Sequence, residues 1–115
     1  MTPRRLLVFT ALLPCACLAS NSSFEKTVQP FLKANCFLCH NAKLKVGGLS
    51  LEGYANPREA LKDRELWEKV IQKLRTGQMP PKGRPAPAAE QVAQVTHWFE
   101  LEFARMDRRM KLMPL

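Results

Sequence analysis

The sequence predicts an all-α protein that forms one small domain, and three observations predict it. Apolar residues recur at helical spacing in three separate segments. Cys36-Phe37-Leu38-Cys39-His40 is a covalent haem attachment motif. The part of the chain expected to remain after export, about 95 residues, is one domain by length. A domain of this size buries a modest core and often needs a metal or cofactor for stability. A covalent haem would supply much of that interior.

Residues 1–19 read as a secretory signal peptide, which leaves 20–115 as the domain. Arg4 and Arg5 give a basic start, Leu6 to Leu13 is apolar apart from Thr10, and Cys17-Leu18-Ala19 is a small-x-small site with cleavage after Ala19. The apolar run is well short of the about 20 residues a spanning helix needs. A lipoprotein with Cys17 as the lipidated residue is the alternative, and Pro14 and Cys15 spoil the usual approach to such a cysteine. Either way the protein is expected in the periplasm or otherwise outside the cytoplasm, which is where thioether-linked haem is assembled in bacteria. Removal of the leader takes Cys15 and Cys17 with it, so no disulfide framework remains.

The elements come in order along the chain. Ser22 to Asn35 is a first helix: Ser22 and Glu25 form a capping box, and Phe24, Val28, Phe31 and Leu32 share one face. Pro30 lies inside it, where a proline costs around 3 kcal/mol, so a kink is expected. Asn41 to Tyr54 is a loop freed by Gly47-Gly48, whose Leu44, Val46, Leu49 and Leu51 would pack on a porphyrin. Asn56-Pro57-Arg58-Glu59 starts the next helix, with Asn56 as N-cap, Pro57 at the first helical position and Glu59 reaching back. Asp63 can divide that helix in two. From Arg64 onward, Leu66, Trp67, Val70, Ile71 and Leu74 fill an apolar arc of about 140°, and Gly77 ends the run. Thr76 to Ala86 is an extended loop rich in proline. Pro87 to Met110 is a long final helix in which Val92, Val95, Thr96, Phe99, Phe103, Met106 and Met110 fall within about 60° of one line.

The chemistry concentrates in the motif and the loop. Two thiols three positions apart can each add to one vinyl group of the same porphyrin, and His40, next to the second thiol, is then held under the iron. Zinc and thioredoxin-like thiols are the competing readings. A structural zinc site wants four ligands, and His97 is the only other histidine. A redox dithiol should come after a strand in a βαβ pattern, whereas the residues before Cys36 are helix-like. Met79 is set on an extended strap because Pro80 steers it away from α conformation and Pro81 stiffens the segment beyond. A thioether so held can be the second axial ligand of a haem and would raise its potential; the alternative is a gap-filling core methionine. His97 falls roughly 140° from the apolar line of the last helix, which argues against it as a ligand. Trp98 flanks that line and could cover the haem pocket or reach a propionate, although ordinary burial also accounts for it.

A formal charge of +8 falls to +6 when Arg4 and Arg5 leave, 18 basic side chains less two standing against 10 acidic ones. A basic carrier would dock on redox partner proteins with acidic surfaces, the charge steering encounter. Lysines spread along every helix can equally be mere solvation. Nucleic acid is not expected as a partner of an exported chain; a monomer, with at most loose membrane association, is. No glycine-rich phosphate loop or Ser/His/Asp set is present, so catalysis by side chains is unsupported and an electron carrier is expected rather than an enzyme.

Cys36-x-x-Cys39-His40, Gly47-Gly48-Leu49, Trp67-x-x-Val70, Gly77-x-Met79-Pro80-Pro81 and Trp98, taken in that order, resemble a class I type cytochrome c domain. The resemblance is closest to the planctomycete-type domains found at the start of large exported proteins, and runs from about Phe24 to Phe103. It implies a small cytochrome c fold with haem as core and the first and last helices crossing. It also implies one covalent haem c, thioether bonds at Cys36 and Cys39, and iron ligated by His40 and Met79. Val46 stands between Lys45 and Gly47 where the family commonly has Lys-Gly-Gly, so the detail of that loop can differ. Relatives usually continue into further domains, so the chain is expected to be a free carrier or the electron-entry module of a larger exported enzyme. If Met79 is not a ligand, a haem sensor or peroxidase is the alternative.

Overall fold

The structure is a computed structural model that describes residues 23–114. The leader assigned to residues 1–19, and Ser22 of the expected capping box, lie outside the described residues. Among the described residues the regular structure is helical throughout. A π-helical turn, Phe24–Val28, runs into α1, Gln29–Asn35, and a single 3₁₀ turn, Val46–Gly48, interrupts the loop after it. Helices α2, Pro57–Lys62, α3, Arg64–Arg75, and α4, Ala89–Leu112, complete the chain.

Proline chemistry explains the first element. Pro30 has no N–H for the carbonyl of Lys26, and its ring would clash with that oxygen in an α-helix. The backbone therefore widens just before it, and Gln29 N–H bonds the carbonyl of Phe24, five residues back. The expected kink takes the form of a π-helical turn. Ser23, one residue later than expected, is the N-cap, its hydroxyl accepting from Lys26 N–H at 3.2 Å.

Asn56 caps α2 as its side chain requires, accepting from Glu59 N–H at 3.0 Å. The carboxylate of Glu59 does not reach back; it bonds Lys62 at 3.1 Å. Asp63, with φ −96° and ψ 48°, separates α2 from α3. Its carboxylate accepts a hydrogen bond from Tyr54, which also packs edge-on against Trp67 at 5.1 Å and so pins the bend to the core.

Aromatic contacts and ion pairs set the tertiary arrangement. Trp67 of α3 stacks on Phe99 of α4 with ring centroids 4.6 Å apart. Arg64 pairs with Asp107 and Arg75 with Glu100, so α3 and α4 run antiparallel. The π-helical turn packs on α4 where Phe24 meets Trp98 at 5.3 Å. Trp98, off the predicted apolar line, is buried because the N-terminal turn covers a second side of α4. Met110, on that line, is 69 % exposed. At 1.5 Å per residue α4 is about 36 Å long and α3 about 18 Å, so the last turns of α4 outrun anything α3 can cover. The side chains pack a core of their own, centred on Phe24, Trp67 and Phe99, and the functional cleft lies on its flank.

Candidate haem site

The thiol pair sits on one turn of backbone stapled to the end of α1. Cys36 caps that helix, its N–H bonding Leu32 O at 2.8 Å. The carbonyl of Cys36 then accepts from both Cys39 N–H, at 3.2 Å, and His40 N–H, at 2.9 Å. This turn carries both thiols and the imidazole in five residues. Asn41 clamps it: its amide donates to Phe37 O at 2.8 Å, while its Oδ1 accepts from Lys43 N–H at 3.0 Å and Leu44 N–H at 2.7 Å. Asx turns of this kind are local chemistry and could have been read from Asn41 in the sequence. Leu51 N–H bonds His40 O at 2.9 Å, which brings the far end of the loop back under the motif. Lys45 adopts a left-handed φ of 44° just before Val46, and Gly47 and Gly48 come next with φ of 67° and 74°, so the inserted valine is absorbed by a left-handed turn.

The strap after α3 is anchored as firmly. Thr76 caps α3; Gly77, with φ 70°, bonds Leu74 O at 3.3 Å, and Gln78 N–H bonds Lys73 O at 2.9 Å, the paired bonds of a Schellman ending. Met79 N–H also reaches Lys73 O, at 3.2 Å. The Met79–Pro80 peptide bond is cis.

These segments meet around one predominantly apolar cleft of about 290 Å³, at the small end of ligand pockets. Cys36, Cys39, His40 and Met79 all line it. Val46, Leu49 and Leu51 form a wall with Val70 and Leu74 of α3. Leu44, expected there, is exposed and stands outside. Leu38, Val46 and Met79 line the cleft yet stay solvent-accessible, so it is open to one side. Lys73 and Arg84 also line it; sequence reasoning missed both, because nothing local distinguishes them from other surface cations.

His97 is elsewhere. It is exposed on α4 and lines a separate cleft of about 580 Å³ between that helix and the back of the strap, which contains neither thiol nor His40. Met79 and Pro80 form the partition between the two clefts. Trp98 lines neither and belongs to the core.

Burial pushes the Cys36 thiol up to about 11, so it is protonated near neutrality. Among the described residues no three His, Cys, Asp or Glu side chains converge on one point. The Nδ1 of His40 is buried without a hydrogen-bond partner, and the indole N–H of Trp67 is likewise unpartnered. Paired thiols, an adjacent imidazole, a thioether across an apolar cleft and two cations at its wall fit the donor set of a covalently attached haem.

The planctomycete cytochrome C family model matches residues 36–83. That span opens at the first thiol and closes four residues past Met79, and is narrower than the stretch from Phe24 to Phe103 that carries the sequence resemblance. Neither a curated protein nor a solved structure matches the chain. The family implies haem c binding and, in general, electron carriage. Residues 36–83, with the thiol turn at one end and the methionine strap at the other, are similar to a planctomycete cytochrome C domain.

Proposed function

We propose that this protein is an exported c-type cytochrome that binds one covalent haem and transfers single electrons. One observation carries the reading: Cys36, Cys39, His40 and Met79, supplied by two segments about forty residues apart, line the same apolar cleft. When bound, the haem supplies one-electron chemistry at its iron.

The residues divide the work. Each thiol, Cys36 and Cys39, would add its S–H across one vinyl group to form a thioether. His40 and Met79 would ligate the iron. Val46, Leu49, Leu51, Val70 and Leu74 would exclude water from the bound ring. The open margin at Leu38 and Val46 would present one edge to a partner. Lys43 and Lys45 stand in the same exposed loop, which supports docking on an acidic redox partner outside the cytoplasm once residues 1–19 are removed.

The test is an absorption spectrum and a denaturing-gel haem stain of periplasmically expressed protein. Haem that stays on the polypeptide, with a low-spin spectrum and the weak near-infrared sulfur-to-iron band, is expected. A polypeptide that loses all stain would overturn covalent attachment; a high-spin spectrum with rapid carbon monoxide binding would overturn Met79 as ligand and point to a sensor or peroxidase.

A further inference from the structure

The cleft is apolar except for its cations. No aspartate or glutamate lines it; besides Cys36, Cys39 and His40 its titratable or charged side chains are Lys73 and Arg84. Five cations of the helices are neutralised, Lys62 by Glu59, Arg64 by Asp107 and Glu68, Lys69 by Glu65, Arg75 by Glu100 and Arg105 by Glu102, and those left unpaired, apart from Lys73, do not line the cleft. Among the described residues neither Lys73 nor Arg84 has an ion-pair partner. Lys73 makes only a long contact, 3.4 Å, to Gln78 Oε1, and the guanidinium of Arg84 makes no hydrogen bond. Two unpaired cations on an apolar wall ask for an occupant that is apolar in body and anionic at its edge. Arg84 lies one residue beyond the family match, so the match does not speak for it.

We infer that Lys73 and Arg84 are positioning residues that receive the two propionate carboxylates of the haem and so fix which way it lies in the cleft. The inference rests on the haem reading above. The vinyl edge of a haem, which the thiols take, is opposite its propionate edge, so the cations must come from elements other than the thiol turn. Lys73 comes from α3 and Arg84 from the strap. Lys73 also accepts Met79 N–H on its carbonyl, so the residue that would hold one propionate also anchors the methionine. Arginine suits a carboxylate through its paired donors, and lysine as a point charge.

Carboxylates could instead come from an acidic partner surface, so the test uses the isolated, haem-loaded protein. The midpoint potential is followed from pH 5 to 9, with infrared oxidised-minus-reduced spectra reporting propionate protonation. Loss of a neighbouring cation raises a carboxyl pKa by roughly one unit or more, so the pH-linked inflection and the carboxyl signal should move up by about one pH unit in Arg84→Gln. Lys73→Gln should do the same and carries the test alone should Arg84→Gln fail to fold. Arg84→Lys should reverse most of the shift, and Arg109→Gln, exposed on α4 and outside the cleft, should move nothing. Unmoved inflections in both Gln variants, with haem still stained on the polypeptide, overturn the inference and leave the haem reading standing. A wild-type protein without bound haem overturns both.

Discussion

The carbonyl of Lys73 accepts the N–H of Met79 at 3.2 Å, a bond that ties the strap to the helix whose other residues wall the cleft. The same oxygen holds Gln78 N–H at 2.9 Å, so the strap leaves α3 in one direction only. Met79 is thus positioned by backbone hydrogen bonds.

Met79→Ala removes the sulfur and leaves that backbone intact. The haem should stay attached but become high-spin, bind carbon monoxide rapidly and drop in potential. Spectra and a redox titration check this; an unchanged low-spin spectrum would sink the assignment.

Gly77→Ala probes the anchor. A Cβ there meets nothing within 4 Å, so the cost is that of an L-residue at φ 70°, about 1–2 kcal/mol. Chemical denaturation should show that loss, with the methionine-ligated spectrum retained in the folded protein.

Asn41→Ala removes the side-chain bonds that clamp the thiol turn to the loop, at a cost of about 1–2 kcal/mol. Haem attachment, measured as stain per polypeptide, should fall. Asn41→Asp keeps the two acceptor bonds and should recover part of the yield; equal loss in both variants would assign the effect to the amide donor alone.

Tyr54 gives a pH signature. Burial, first, and then its hydrogen bond and charge contact with Asp63 raise its pKa from 10.0 to about 12. A raised folded-state pKa means stability fully present below pH 10 and lost as pH rises through about 12. The group is mostly solvated, so the contribution is about 1 kcal/mol or less. Tyr54→Phe should flatten the stability profile between those pH values; an identical profile in wild type and variant would refute it.

Trp98→Ala should cost about 3–5 kcal/mol and Met110→Ala under about 0.5 kcal/mol, measured by thermal unfolding. The wheel of α4 alone ranks them the other way round.

That reversal marks the limit of what is legible in a chain of this length. Features settled within a turn or two of backbone are legible in the residues alone. The thiol turn, the Asn56 cap, the break at Asp63, the glycine that ends α3 and the exclusion of His97 all arise from side chains a few residues apart. Pro30 announced a disturbance, but its form as a π-turn required the folded backbone. Tertiary structure decided what distant segments cover. Phe24 buries Trp98 across seventy-four residues of chain, and α3 is too short to cover Met110. Only the fold brings Met79 to the cleft of the thiols and sets Lys73 and Arg84 unpaired on its wall. Hydrogen bonding and helical periodicity act over a few ångströms of backbone, whereas burial and charge pairing depend on which remote surface arrives.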